Sequence, residues 1–431
     1  MKFKEVVERI KPSREEEKRV SSVTRELVKK LSRVKDVKVI VGGSDAKGTV
    51  IKSKPRRDID VFVAFDYKKY SDRTTEISDV LAAHLKKLRI PFKRVHGSRD
   101  YFHFTDKKNN MFFEIVPILH IKKASDSLNI TDISPLHVTY VKKNLKRKNV
   151  ADDIRLAKAF CYAHNIYGAE SHVRAFSGYA LEILVIHYGG FMNFLKAAAK
   201  WKKQIHKGKL LIDPEKLYNN KDAIIFHLNE SKLIGPLVLI DPVQKERNVT
   251  AAMDEGKFSA FIDLCQKFVK NPSLKFFEKK EIKADQLRKT LKKKEDLITL
   301  HLDLGKGKED IIGSRMRKLF DFLSTAAERE GFSLRRKIWT FYPERNVSHF
   351  YFIVENPTLG AYMEKQGPPI KMEKAVQGFK KKWRSTYTKK GRLYTKVKRS
   401  FTKFDLFLKN SFEEKVKSEK SLKVVKRAVC V

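Results

Sequence analysis

Two aspartates, two positions apart in an apolar run, are the first candidates for chemistry in this sequence. Asp58 and Asp60 flank Ile59 and precede the hydrophobic residues 61–65. Side chains two apart on a β-strand point to the same face, so the two carboxylates are expected to lie together. Neighbouring carboxylates repel each other unless a cation lies between them, and Mg²⁺ binds carboxylates together with substrate phosphates. The pair predicts a Mg²⁺ site, and two solvated acids on a strand are the alternative.

A glycine turn precedes the two aspartates. The β-branched run 37–41 ends at Gly42-Gly43-Ser44, ahead of an expected helix. Backbone N–H groups and a hydroxyl at such a turn suit a phosphate chain, and glycine permits close approach of the backbone. Lys47 adds a positive charge. The segment predicts a phosphate-binding loop, with a tight turn that binds nothing as the alternative.

A third carboxylate stands in a later apolar segment. Glu114 lies between Phe113 and Ile115, where a lone acid is costly unless a charge or a metal compensates it. Together with Asp58 and Asp60 it would supply a third metal ligand, and it is a candidate base for a hydroxyl proton. A glutamate that faces water from an edge strand is the alternative.

Hydrophobic patterns predict the elements that position these residues. Ser13 and Glu16 form a capping-box pattern at the start of an amphipathic helix. Further elements are expected in this order: strands at 37–41 and 59–65, a helix at about 74–88, and a hairpin of 101–105 with 111–118. Residues 1–143 are therefore predicted to form a small α+β domain with a mixed sheet.

The rest of the chain divides into a helical region and a second α+β region. Residues 144–275 carry helical patterns around 154–164 and 179–188. Residues 276–431 show a strand at 297–302, a helix at 314–330, and strands at 333–341 and 349–354. That order is typical of a ferredoxin-like or RNA-recognition-type sandwich. The predicted fold class is multidomain α+β.

The charge balance indicates the kind of partner. The chain has 93 Lys+Arg against 51 Asp+Glu, a net charge of +42, which favours a polyanionic partner, nucleic acid before an anionic membrane. The longest apolar stretch, 179–191, is too short to span a bilayer, so no membrane partner is expected.

Three dispersed cysteines and an N-terminus without an apolar core indicate a reducing cytoplasm. Residues 371–403 are especially rich in Lys and Arg.

Several motifs together resemble one enzyme family. Gly43-Ser44, thirteen intervening residues and Asp58-Ile59-Asp60 resemble the signature of the DNA polymerase beta nucleotidyltransferase superfamily. Within it, the chain closely resembles the archaeal (class I) CCA-adding enzymes, which are tRNA nucleotidyltransferases. The supporting segments are Asn165-Ile166-Tyr167-Gly168-Ala169-Glu170, Arg174-Ala175-Phe176-Ser177-Gly178-Tyr179, and Asp241-Pro242-Val243 leading to Arg247-Asn248-Val249. The resemblance is strong over roughly residues 35–280.

The resemblance implies roles for individual residues. It implies a polymerase-beta-like head whose metals bind Asp58, Asp60 and Glu114, and a helical central domain that completes the nucleotide pocket. The implied nucleotide-binding residues are Gly43, Ser44 and Lys47 from the head, His137 near the nucleotide, Lys158 and Tyr167 at the triphosphate, and Arg247 at the base.

The residues themselves leave alternatives for three of these positions. Lys158 lies off the apolar face of its helix and is expected to be free to reach a phosphate, although an ordinary surface lysine fits the same pattern. Tyr167 also fits an aromatic at a helix end. Arg247 also fits a salt bridge to Asp241 or Glu246.

The sequence departs from the family pattern at three positions. Lys47 stands where arginine is common, which replaces a forked phosphate contact with a point charge. Glu114 stands where aspartate is usual, which lengthens the metal-binding arm. Ser134 stands where threonine is typical.

The implied reaction is untemplated addition of C, C and A to the 3′ end of tRNA from CTP and ATP, by two-metal nucleotidyl transfer with release of pyrophosphate and with Mg²⁺ as cofactor. The basic region 276–431 is expected to grip the acceptor and TΨC arms through phosphates and duplex shape. Two alternatives stay open: a poly(A)- or oligoadenylate-forming transferase that uses ATP alone, and a non-catalytic RNA-binding protein. The oligomeric state is open as well, with a homodimer among the options.

Overall fold

The computed structural model describes residues 3–52, 57–147 and 149–431. The chain divides into two compact units, residues 1–280 and 281–431. The first unit begins with α1 (Lys4–Ile10), α2 (Arg14–Leu31), β1 (Val37–Val41), α3 (Gly43–Lys47), β2 (Arg57–Phe65), α4 (Tyr67–Tyr70), α5 (Ile77–Lys87), β3 (Lys93–Val95), β4 (Tyr101–Asp106), β5 (Met111–Leu119) and α6 (Ser134–Asn144). It continues with α7 (Val150–Ala163), α8 (Gly178–Tyr188), α9 (Phe191–Ala198), β6 (Leu210–Ile212), α10 (Lys221–His227), β7 (Leu237–Leu239) and α11 (Glu255–Lys270).

A mixed sheet carries the head of the first unit. Among the described residues its strand order is β1-β2-β5-β4-β3, with β2 and β5 parallel and the other pairs antiparallel. Alternate β2 residues such as Ile59, Val61 and Val63 are buried in the core formed with α2 and α5. The Ser13 side chain caps α2 by accepting a hydrogen bond from the Glu16 N–H. The predicted mixed sheet is confirmed, and β1 has the predicted bounds.

Helices α7, α8, α9 and α11 form the second core of this unit. Large aromatic side chains such as Phe160, Phe176, Trp201 and Phe268 are fully buried there. Helix α8 begins at the Ser177 cap and covers the predicted segment 179–188. The predicted boundary at 143/144 lies inside the first unit, so the division of this unit into head and central domain stays a prediction.

The second unit contains α12 (Ala284–Arg288), β8 (Asp296–Leu304), α13 (Glu309–Arg329), β9 (Leu334–Tyr342), β10 (Val347–Val354), β11 (Tyr362–Pro369), α14 (Glu373–Lys382), β12 (Tyr387–Lys389), β13 (Arg392–Lys398), α15 (Phe404–Ser418) and β14 (Val425–Cys430). Its larger sheet has the order β14-β8-β10-β9, and the paired strands are antiparallel. Helices α13 and α15 pack against one face through a common core. This β-α-β-β-α-β arrangement confirms the predicted ferredoxin-like sandwich.

The basic segment 371–403 belongs to an insertion between β10 and α15. Strands β11, β13 and β12 form a sheet in that order, and α14 connects β11 to β12. The ends of the insertion lie side by side, because the Leu359 N–H donates to the Thr402 carbonyl over 2.7 Å and Thr358 bridges Lys403. In the described part of the chain, helices that are both long and apolar enough to cross a membrane are absent.

Candidate active site

The three candidate carboxylates meet on one face of the head sheet. In the parallel pairing of β2 with β5, Asp60 lies opposite Glu114, and Asp58 shares the face of Asp60 because it is two residues away. Burial, together with the charges of Glu114, Asp45 and Asp58, raises the pKa of Asp60 to about 7, although Lys47 acts to lower it. The negative charge at Asp60 is therefore incompletely compensated by the protein.

The three carboxylates are the type of ligand that a divalent cation binds. In this structure their side chains are not oriented around a common metal position. Carboxylate oxygens are the ligands that Mg²⁺ prefers, and a cation would relieve the repulsion at Asp60. Within the described residues, however, no group of three or more His, Cys, Asp or Glu side chains stands ready to hold a metal ion. Glu114 Oε1 lies 3.0 Å from His103 Nε2, so we expect metal binding to require rotation of the Glu114 side chain.

His103 is a neighbour of the site that sequence reasoning missed. It lies directly opposite Glu114 in the antiparallel pairing of β4 with β5, and its ring packs edge-on against Phe112 with centroids 4.5 Å apart. The predicted hairpin did not give this pairing, because strands 101–105 and 111–118 would place position 103 across from 113, whereas the observed pairing of Asp106 with Met111 shifts the register by one residue.

The glycine turn packs directly against Asp60. Gly43 has φ +63°, and a Cβ at this position would overlap Asp60 Oδ2. The Gly42 N–H donates to the Asp60 carbonyl over 2.8 Å, and Ser44 follows half-buried in α3. Only glycine meets both the left-handed backbone and the lack of space. A phosphate on this turn would therefore lie beside the carboxylate face.

Two lysines predicted to contact phosphate share one buried carboxylate. Lys47 Nζ donates to Glu182 Oε2 over 2.5 Å, and Lys158 Nζ donates to Glu182 Oε1 over 2.8 Å. The Glu182 side chain is 0% exposed and that of Lys158 is 1% exposed. The Lys158 ammonium also donates to the carbonyl and the hydroxyl of Thr49. Its three N–H donors are therefore all used.

The expectation that Lys158 is free to reach a phosphate is wrong for this structure. Helical periodicity identified the apolar face of α7, but the opposite face is covered by α8, which brings Glu182 onto the lysine. An acid in an apolar helix needs a compensating charge, and that was the signal for Glu182. Burial would raise the pKa of Glu182, but Lys158 and Lys47 hold it below its usual range.

Replacing Lys158 with methionine should lower the free energy of unfolding by about 1–3 kcal/mol, because Thr49 and Glu182 lose a buried donor. Urea unfolding measures this change, and the exposed Lys142→Met is a matched control. Unchanged stability combined with a large loss of triphosphate affinity would instead restore a direct contact of Lys158 with phosphate.

Asp241 contacts three side chains, two of which, Arg247 and His137, are predicted nucleotide-binding residues. Its Oδ2 lies 2.8 Å from Arg247 Nη1 and 2.9 Å from His137 Nε2, and its Oδ1 accepts from the Tyr179 hydroxyl over 3.0 Å. The salt bridge weighed as an alternative for Arg247 is therefore present. Burial lowers the pKa of His137 below 6.5 despite the aspartate. We expect a neutral imidazole at pH 7 held against an ionised Asp241.

Arg247 also lines a cavity. The cavity has a volume of about 260 Å³, and its walls include Ile130, Lys232 and Gln244. Tyr167 is half-buried just after α7, and a Cβ added at Gly178 would lie 3.1 Å from its hydroxyl. Tyr167 therefore packs against the start of α8 close to Lys158, and the structure brings it to the lysine cluster.

In metal-free buffer, the contribution of Asp60 to the stability of the protein should fall as pH rises from about 4 to about 7. The Asp60 carboxyl has an ordinary pKa of 3.8 and a pKa of about 7 in the folded chain. Between these values the folded state binds a proton that the unfolded state does not, so stability falls by up to about 1.4 kcal/mol per pH unit. Above about pH 7 this contribution should be constant.

Urea unfolding of the wild type and of Asp60→Asn, in EDTA across this pH range, isolates the contribution of Asp60. Titrating groups distant from Asp60 affect both proteins equally, so the difference between them carries the effect of Asp60 and of the carboxylates coupled to it. The same pH dependence in both proteins would contradict the raised pKa.

The chain matches known proteins over most of its length. Residues 152–278 match the model of the second domain of tRNA nucleotidyltransferases, and residues 293–426 match that of the C-terminal domain of CCA-adding enzymes. A CCA-adding enzyme of Nanoarchaeum equitans is 33% identical over 94% of this chain and 95% of that protein. Those of Methanocaldococcus jannaschii and Pyrobaculum aerophilum are 28% and 30% identical, over 94% and 86% of this chain and 89% and 82% of theirs. The chain therefore belongs to the archaeal (class I) CCA-adding enzymes.

Proposed function

We propose that this chain adds C, C and A to the 3′ end of tRNA, using CTP and ATP without a nucleic-acid template and releasing pyrophosphate. The observation that carries the proposal is the pairing of Asp60 with Glu114 on one sheet face, against which the Gly43 turn packs. Further support comes from the match to relatives named CCA-adding enzymes over nearly their whole length.

In this proposal the head, residues 1–143, binds the reacting groups. Asp58, Asp60 and Glu114 would hold Mg²⁺, which when bound would lower the pKa of an attacking hydroxyl and stabilise departing pyrophosphate. Backbone N–H groups of the Gly43 turn and the Ser44 hydroxyl bind the triphosphate. Glu114 accepts the proton of the terminal ribose hydroxyl.

The central domain, residues 144–275, is proposed to complete the nucleotide pocket. Asp241 holds the Arg247 guanidinium at the wall of the cavity, so an entering base meets donors that are already oriented. A guanidinium carries five N–H donors in a fixed plane, which suits hydrogen bonding to base edges. The neutral His137 lies beside it, and because its Nε2 contacts Asp241, its Nδ1 is the ring nitrogen left for the nucleotide.

The basic residues of 276–431 are proposed to bind the acceptor and TΨC arms of tRNA. Duplex RNA is recognised chiefly through phosphates, 2′-hydroxyls and shape, so a lysine- and arginine-rich surface is sufficient for the grip. The exposed lysines at the end of α14, Lys380, Lys381 and Lys382, are candidates.

Three tRNA transcripts test the proposal: one that lacks the whole CCA end, one that lacks only the final A, and a complete one. Each is incubated with the protein and Mg²⁺, with CTP and ATP supplied separately and together. We expect CTP to extend only the first transcript and ATP to extend only the second. Extension of the first transcript by ATP alone would indicate a poly(A)-type transferase instead. Binding of all three without extension would indicate a non-catalytic RNA-binding protein.

A further inference from the structure

Lys47 has anionic neighbours on two elements, Glu182 of α8 and Asp60 of β2. Its ammonium donates to Glu182 Oε2 over 2.5 Å. It also lies one helical turn after Gly43 in α3, the residue that packs against Asp60 Oδ2, and its charge lowers the pKa of Asp60. The side chain is 9% exposed, so water contributes little to the solvation of the ammonium. Lys47 thus has two possible anionic partners, Glu182 and Asp60, and in this structure it binds Glu182.

Glu182 uses its two oxygens for different partners. Oε1 accepts from Lys158 Nζ over 2.8 Å and from the Thr49 hydroxyl over 2.7 Å, whereas Oε2 accepts from Lys47. Lys158 and Thr49 also hydrogen-bond to each other over 2.9 Å. Oε1 is therefore held within a rigid cluster, which fixes the direction of Oε2 and with it the position of Lys47.

A lysine released beside the carboxylate face would bind there. Its flexible stem lets the ammonium move, and an uncompensated carboxylate attracts any cation within reach. The ammonium would then occupy the place of a metal ion without supplying the metal's chemistry. In this structure Glu182 gives Lys47 an anion within hydrogen-bond distance instead.

We propose that Glu182 is a positioning residue that holds Lys47 away from Asp60 and so keeps the carboxylate face available to a divalent cation. The inference rests on the metal site of the proposed function. It assigns to a fully buried glutamate of α8 a role in metal binding, although Glu182 itself does not contact the metal.

The Glu182→Gln variant removes the acceptor of Lys47 and keeps an acceptor for Lys158 and Thr49. The glutamine oxygen keeps the two donors that meet Oε1, so its NH₂ group replaces Oε2 and faces the Lys47 ammonium. We expect the affinity of the nucleotide- and RNA-free protein for Mn²⁺ to fall about tenfold or more, the effect of a cation that moves to within about 4–6 Å of a carboxylate. Electron paramagnetic resonance of free Mn²⁺ measures this affinity directly, without an activity assay.

A second substitution separates positioning from structural damage. In Glu182→Gln combined with Lys47→Met, the competing ammonium is absent, and Mn²⁺ affinity should return at least to that of the wild type. The exposed Glu17→Gln is the control for loss of one negative charge. If circular dichroism shows that Glu182→Gln is unfolded, Glu182→Asp replaces it, because the shorter arm reaches Lys158 and Lys47 less well.

The outcomes are distinguishable. Equal Mn²⁺ affinity in the wild type and in Glu182→Gln would overturn the inference alone. A loss of affinity that Lys47→Met does not restore would also overturn it, because the damage would then be structural. Mn²⁺ binding by the wild type that Asp60→Asn leaves unchanged would overturn the metal site of the proposed function and the inference with it.

Discussion

Asp60→Asn is expected to lower the rate of nucleotide incorporation into tRNA by at least about 10²-fold, the scale of removing one preorganised electrostatic interaction. The aspartate lies opposite Glu114 and against the Gly43 turn, so it is central to both the metal and the phosphate parts of the proposed site. Asparagine keeps the size of the side chain and removes the charge that a metal needs. Single-turnover incorporation of CTP and ATP measures the loss.

The fold is not expected to account for this loss. Burial and the Glu114 charge both penalise ionised Asp60, so a neutral asparagine should leave the head as stable as before or more stable at neutral pH. Asp72→Asn, at an exposed position of the head, is the control and should incorporate nucleotide normally. Turnover near the wild-type rate in a folded Asp60→Asn protein would refute the metal site.

Affinity for tRNA is expected to fall by about 10³-fold or more between 50 and 200 mM salt, if roughly six or more phosphates are contacted. The basis is the net charge of +42 together with the exposed lysines of the second unit. Each phosphate that is bound releases counterions, so the logarithm of affinity should fall linearly with the logarithm of salt concentration. Filter binding or fluorescence anisotropy over a salt series measures the slope.

The slope can also be assigned to part of the surface. Changing Lys380, Lys381 and Lys382 to glutamine should reduce it by about one for each phosphate that these lysines neutralise. The three side chains are exposed on α14, so the fold should be unaffected. A wild-type affinity that does not depend on salt would contradict binding of tRNA through its phosphates. An unchanged slope in the triple variant would mean that other side chains bind the phosphates.

Where the local pattern of residues determines the structure, the sequence was sufficient to predict it. The run Val37–Val41 is β-branched and bounded by glycine, and it forms β1 with those bounds. The alternation around Asp58 and Asp60 predicted a shared face because strand geometry has a fixed period of two. In the second unit, the order of strands and helices limited the topology to the sandwich that is observed.

Where the partners of a side chain come from distant elements, the sequence was not sufficient to predict its contacts. The period of α7 showed one apolar face, but the enclosure of Lys158 depends on where α8 lies, and that is a tertiary property. Helix α13 begins at Glu309, five residues before the predicted start, since its charged first turn and Gly313 interrupt the apolar pattern. In the basic insertion, the burial of alternate residues such as Leu393 was obscured by the surrounding lysines.

The insertion of the second unit leaves and re-enters the sandwich at adjacent points. Thr358 and Lys403 are bridge partners, and Leu359 bonds Thr402, so a turn of a few residues spans the gap between the two ends. We therefore expect that lengthening, shortening or replacing residues 361–400 leaves the order of β8, β9, β10 and β14 unaltered. Evolution can vary the reach of this appendage as a separate module, while the sandwich that carries it keeps its own core.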